Sequence, residues 1–332
     1  MQFDQLKRRD FITLLGAAAA AWPLAARAQQ AEPLRRIGFL TSVSESDAQT
    51  RLAAFRQGLR DLGWTEGRNI QIDYRFADGY STRVAQLARE LIELHPDAIL
   101  SVGSAAVAAL RQHTLSIPIV FVQVSDPVAA GFVTNLAHPN GNITGFTSFE
   151  FSISEKWLQL IKESVPSVAR MVVIFDPATP NWTPYLRAIE AAAPLMGLQL
   201  TPAGVRDATE IENAINAFAR APNGAIVVLP NPVTTELREQ VIALAAQHRL
   251  PAIYPYRYFA ASGGLMSYGI DLPDIWRRAA TYVDRILKGV KPTELPVQQP
   301  TKYELIINLR TAKAMDLELP PTLLARADEV IE

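Results

Sequence analysis

The body of this chain is written twice, and that constrains its fold more than any other feature. Short β-branched runs alternate with longer amphipathic segments, the pattern of parallel α/β sheets. Strands are expected at Arg36–Thr41, Asn69–Arg75, Ala98–Val102 and Ile119–Val124, and again at Arg170–Phe175, Gln199–Val205, Ala225–Leu229 and Ala252–Tyr254. Helices are expected between them, over Gln49–Leu62, Ser81–Leu94, Thr183–Met196, Asp207–Arg220 and Thr234–His248. Leu52, Phe55, Leu59 and Leu62 recur at helical spacing, which makes them a core face. Landmarks then repeat at a nearly constant offset. Arg36 matches Arg170 and Leu62-Gly63 matches Met196-Gly197, each 134 positions on; Pro118 matches Pro251 at 133. Ala98-Ile99-Leu100 matches Ala225-Ile226-Val227 at 127. The glycines suit helix C-termini and the prolines suit strand starts. Each landmark alone is weak, and any two α/β units share some of them. Four in one order favour two similar domains, which also suits a length of 332 residues.

In open parallel sheets a ligand sits beyond the carboxyl ends of the strands, where loops and helix N-termini supply donors. The repeat therefore nominates facing loops. From the first half these are Thr41-Ser42-Val43-Ser44, Gly103-Ser104 and Gln123-Val124-Ser125-Asp126. From the second they are Asp176 to Trp182, Pro230-Asn231 and Tyr254-Pro255-Tyr256. The candidate ligand contacts are Ser42, Ser44, Ser104, Ser125 and Asp126 on one side. On the other they are Asp176, Asn181, Trp182, Asn231, Tyr254 and Tyr268. Hydroxyls, amides, carboxylates and rings together suit a small polar molecule with an aromatic or apolar part. Ser42, Ser104 and Asp126 serve equally well as helix caps. Trp182 fits a cleft wall or its own lobe, and Tyr254 and Tyr268 fit a core with a satisfied hydroxyl.

The first residues read as an address. Arg8-Arg9-Asp10-Phe11-Ile12 opens an apolar stretch, Phe11 to Leu24, of 14 residues, short of the roughly 20 that span a bilayer. Ala26-Arg27-Ala28 has the small-x-small form of a signal-peptidase site. Residues 1–28 are therefore expected to be a twin-arginine export signal, cleaved after Ala28 to leave a periplasmic protein. The chain has no cysteine, which excludes a lipoprotein anchor, disulfides and thiolate chemistry. A net charge of −1 offers no basic surface for nucleic acid.

Three segments carry a family resemblance. The first is Leu136-Ala137-His138-Pro139-Asn140-Gly141-Asn142-Ile143-Thr144-Gly145, after the twin-arginine leader. The second is Gly263-Gly264-Leu265-Met266-Ser267-Tyr268-Gly269-Ile270-Asp271, followed by Ile286 to Pro292 and Leu295-Pro296-Val297. The third is Asn308 to Ala314 with Pro320 to Ile331. In this order they resemble the substrate-binding proteins of ABC transporters, in the family that includes the tryptophan- and tyrosine-binding proteins. The resemblance implies an α/β, type I periplasmic-binding-protein fold: two Rossmann-like lobes joined by three crossover strands, with a ligand cleft between them. It implies an N-terminal lobe of residues 34–147 plus 272–298 and a C-terminal lobe of 148–267 plus 303–332, hinged near 147–151, 267–271 and 299–303. The aromatic-amino-acid binders carry an acidic residue and Asn-Ser at the position of Thr179-Pro180-Asn181-Trp182. Asn181 fits that pattern, Thr179 replaces the acid and Trp182 replaces the small residue, so the carboxylate that would pair with an ammonium is missing there. Asp126 and Asp176 are possible substitutes.

The implied partners are a small-molecule ligand and an ABC transporter permease, with the protein expected as a monomer that uses no cofactor and no metal. His95, His113, His138 and His248 show no metal spacing. No phosphate loop, dinucleotide fingerprint or nucleophile elbow occurs. A periplasmic hydrolase would need a base near Ser42, Ser104 or Ser125, and no histidine is placed for it. A sensory module signalling through a receptor is the alternative to transport.

Overall fold

The computed structural model describes residues 34–148, 151–179 and 182–332. The expected export signal and Asn181 lie outside them. The first half builds β1 (Arg35–Thr41), α1 (Glu45–Asp61), β2 (Ile70–Phe76), α2 (Ser81–Glu93), β3 (Ala98–Val102), α3 (Ser104–Arg111), β4 (Ile119–Val124) and β5 (Ile143–Thr147). These strands form one parallel sheet in the order β2-β1-β3-β4-β5. Both faces are covered, which is why β3 and β5 are buried along their whole length. Alternate residues feed opposite cores. Ile37, Phe39, Leu100 and Val120 pack with Leu52, Phe55 and Leu59 of α1. Leu40, Ile99 and Phe121 pack with Val84 and Leu91 of α2 and Leu110 of α3.

The chain then passes to a second sheet. Here lie α4 (Ile153–Ser164), β6 (Arg170–Phe175), α5 (Trp182–Ala192), β7 (Gln199–Gly204), α6 (Ala208–Phe218), β8 (Gly224–Val228), α7 (Pro232–Glu236), α8 (Arg238–Gln247), β9 (Ala252–Tyr254), α9 (Arg257–Ala261) and β10 (Met266–Ile270). Helix α10 (Leu272–Leu287) returns to pack on α1, and β11 (Tyr303–Asn308), α11 (Leu309–Ala314), α12 (Pro321–Leu324) and β12 (Glu329–Ile331) complete the second sheet. Its order is β12-β11-β10-β9-β8-β6-β7; β10 and β11 pair antiparallel and the other described pairs are parallel. The run β7-β6-β8-β9 repeats β2-β1-β3-β4, so the duplicated landmarks mark two copies of one βαβ arrangement.

Among the described residues the connections between the sheets follow β5, lie at Asp271 between β10 and α10, and lie between Gln298 and β11. Gln298 is tied to the first sheet by N–H donation to Gly145 O at 2.9 Å, and its carbonyl accepts from Thr147 N at 2.9 Å. Asp271 caps α10 by accepting from Asp274 N at 3.1 Å, with a proline in the first turn. Gly145 permits the close approach of β5 to β4. Its φ is 153°, and a Cβ there would lie 2.1 Å from the Phe121 carbonyl oxygen.

Several boundaries differ from the sequence expectation for local reasons. Helix α1 starts at Glu45 because Ser44 Oγ accepts from Asp47 N at 3.3 Å. The stretch expected as one helix over Thr234–His248 is two: Asn231 and Pro232 start α7 early, and Leu237 (φ −97°, ψ 23°) breaks the run before α8. Pro194 converts the end of the segment expected over Thr183–Met196 into a 3-10 turn, closed by left-handed Gly197. No helix among the described residues is long and apolar enough to cross a membrane.

Candidate ligand-binding cleft

The carboxyl ends of β1, β3 and β4 face those of β6, β8 and β9 across a cavity of about 80 Å³, room for several waters or a compact ligand. Thr41 at the end of β1, with Ser42 and Val43 after it, enters its wall, and Gly103, Ser104 and Ala105 follow β3. Gly103 has φ 83°, and a Cβ there would meet nothing within 4 Å, so the glycine serves the strand-to-helix turn rather than tight packing. Among the described residues no side chain caps α3 at its start, which leaves its first-turn N–H groups to the cavity. The β4–β5 register shifts between Phe121 and Val124, and Gln123 within that irregularity has φ 57°. This bulge brings Gln123 and Ser125 into the wall. Gln123 Oε1 accepts from Trp276 Nε1 at 3.3 Å. From the second half come Thr179, the Pro230-Asn231-Pro232 turn, Thr235, Tyr256 and Tyr258. Burial pushes the Tyr256 and Tyr258 hydroxyls up, so both rings are neutral.

Among the described residues one charge lines this space. Arg51 of α1 is 5% exposed. Its guanidinium donates to the Asp47 carbonyl and lies 5.2 Å from the Tyr258 ring centroid and 5.9 Å from that of Trp276. Among the described residues no carboxylate forms an ion pair with it; the nearby Asp47 carboxylate is paired with Arg238 of α8. Glu236 Oε1 accepts from Ser44 N at 2.6 Å. Burial, reinforced by the Asp47 charge, raises the Glu236 carboxyl above its ordinary 4.5. Both contacts cross between the halves, as does the 2.9 Å bond between Ser125 Oγ and Tyr185 Oη. The rims are thus latched together around the cavity.

Of the candidates named from sequence, Ser42, Ser104, Ser125 and Asn231 line the cavity. The Ser42 hydroxyl is buried without a partner among the described residues. The Asn231 amide is committed to the fold, accepting from Thr234 N and donating to Leu229 O, each at 2.8 Å. Ser44 sits on the rim as a helix cap and latch rather than in the cavity. Asp126 does not line it; its carboxylate accepts from Val128 N and Ala129 N at 3.1 and 2.8 Å. Asp176 is buried behind the wall, where it accepts from Ala178 N at 2.8 Å while its carbonyl accepts from the Thr179 hydroxyl at 2.8 Å. Burial raises its pKa. Trp182 stacks on Phe175 of its own half at 4.7 Å, and Tyr254 stacks on Phe259 at 4.9 Å inside the second core. Tyr268 stacks on Tyr303 at 5.9 Å, and none of these three rings reaches the cavity.

Arg51, Thr235 and Tyr258 line the cavity without having been singled out by sequence. A signal for Arg51 was present. It lies on the α1 stripe of Ala48, Leu52, Phe55 and Leu59, where a charged residue is rare unless it is paired.

The sequence profile of a family described as ABC transporter substrate binding protein matches residues 36–331. A tyrosine-binding protein from Clostridioides difficile (strain R20291) is 26% identical over 284 residues, 86% of this chain and 81% of that protein. A conserved domain protein from Vibrio cholerae, 28% identical, aligns with a TM-score of 0.84 over 89% of this chain and 99% of that one. An ABC domain in complex with L-Trp from Streptococcus pneumoniae aligns at 0.83 with 23% identity, covering 90% of this chain and 100% of its own, a likeness of fold. The shared architecture is the two-lobed type I periplasmic-binding-protein fold.

Proposed function

This chain belongs to the ABC transporter substrate-binding protein family, and on that premise we propose that it captures one small polar or aromatic solute between its lobes in the periplasm and delivers it to a transporter permease. The observation that carries the reading is the cavity walled by both halves and bordered by cross-lobe bonds. A solute resting on one lobe gains the contacts of the other only on closure, so its differential affinity draws the hinge equilibrium to the closed form. Residues 34–147 with 272–298 act as one lobe and 148–267 with 303–332 as the other, closing about the segments near 147–151, 267–271 and 299–303. The closed pair then presents a joint surface to the permease. Residues 1–28 direct export and are removed after Ala28, and the released protein works as a monomer without cofactor or catalysis. A micromolar complex corresponds to about −8 kcal/mol, tight enough to capture and loose enough to release.

The test is thermal unfolding of the purified chain against a broad metabolite panel. A ligand at about 100 times its Kd adds roughly 2.7 kcal/mol and raises Tm accordingly. No shift with any compound on a folded protein contradicts the reading.

A further inference from the structure

We propose that the cavity selects an organic carboxylate that carries no ammonium group, with Arg51 as the group that reads the acid. This rests on the cavity being the ligand site. Arg51 is 5% exposed and, among the described residues, makes no ion pair. A buried cation without a carboxylate is costly, and an incoming anion relieves that cost. Two further features of the same wall favour an anion. The Ser42 hydroxyl is buried, lines the cavity and has no partner among the described residues. Helix α3 opens onto the space through Gly103, Ser104 and Ala105 without a side-chain cap, so its partial positive end faces the ligand.

What the cavity lacks is equally specific. Among the described residues no Asp or Glu lines it. The rim carboxylates among the described residues are spent, Asp47 on Arg238 and Glu236 on the Ser44 N–H. An ammonium placed here would be desolvated beside a guanidinium with no anion to meet it. The opposite wall is built from Thr179, Pro230, Pro232, Thr235 and the Tyr256 and Tyr258 rings, and its Asn231 amide and two threonine hydroxyls are bonded within the fold. That wall suits a compact apolar or aromatic body, while the first-lobe wall holds the acid.

The test uses matched triplets on one skeleton, read by calorimetry and thermal shift on the full chain: 3-phenylpropionate, L-phenylalanine and phenethylamine, with the 4-hydroxyphenyl and indole equivalents. The acid of a triplet is expected to bind at least about 10-fold tighter than the amino acid, and the amine not at all. Arg51→Met is expected to weaken the acid about 10- to 100-fold and abolish the ranking. Should that variant fold poorly, Arg51→Lys keeps the charge but loses the planar fork, and is expected to weaken the acid while preserving the ranking. An amino acid or amine that binds as tightly as its acid overturns the proposal. So does a flat response across all triplets, which leaves the wider solute-binding reading to the metabolite panel.

Discussion

The latch between Arg238 and Asp47 gives the account its sharpest physical prediction. The two side chains are 21% and 11% exposed, so the pair is largely, not fully, withdrawn from water. Exposed pairs are worth about 0.2–1 kcal/mol, and stranding one partner of a fully buried pair costs about 3–5 kcal/mol. A value near 2 kcal/mol is expected here, which shifts the open-to-closed ratio roughly 30-fold. All of it falls on the closed form, because Asp47 lies on α1 and Arg238 on α8. The chain has no cysteine, so a labelling pair can be introduced cleanly at Thr82 and Thr209, exposed positions on opposite lobes. Spin-label distance distributions of Arg238→Met should show a larger open population than the parent. The Asp47→Asn, Arg238→Met double variant should give less than the sum of the two singles, since both remove one interaction. High salt should reproduce part of the effect. Identical distributions in parent and variants would refute the claim that this pair holds the lobes.

Glu236 makes closure pH-dependent. Its carboxyl is raised above 4.5 by burial and by Asp47, so the closed form favours the protonated group; its contribution is full below 4.5 and is lost as pH rises through the elevated value. The same labels should report opening as pH climbs from 4.5, and Glu236→Gln should flatten the profile; a rise in closure with pH contradicts this. Gly145→Ala places a Cβ 2.1 Å from Phe121 O at a φ of 153° and should cost at least about 3 kcal/mol, a fall in Tm of roughly 5–10 °C. A melting curve within a degree of the parent would show that β5 shifts freely. Asn231→Ala strands Thr234 N and Leu229 O and should lower urea stability by about 1–3 kcal/mol with or without ligand. Lost ligand affinity at unchanged stability would instead make Asn231 a direct contact.

The lobes were legible because buried parallel strands require continuous apolar runs, and the repeat of Arg36 at Arg170 reports the same strand opening in both halves. The cavity was legible only in part. Ser42, Ser104 and Ser125 were reachable because the carboxyl ends of β1, β3 and β4 locate their loops. Trp182 and Tyr254 misdirect a sequence reading because a ring beside a loop looks available, yet each finds an aromatic partner in its own core. Asp126 and Asp176 look like ligand carboxylates but serve backbone N–H groups of the turns that follow them. Arg51 lies mid-helix, away from any loop, and becomes a cavity group only when α1 packs between Tyr258 and Trp276, residues more than 200 positions distant.

The central claim is that the two lobes close on one small molecule. Native mass spectrometry of the folded protein after exposure to a metabolite pool, with denaturation to release what is bound, tests it most directly. The account predicts a one-to-one adduct that disappears on unfolding and yields a single small compound. A folded protein that carries nothing from the pool, at concentrations well above micromolar, would contradict it.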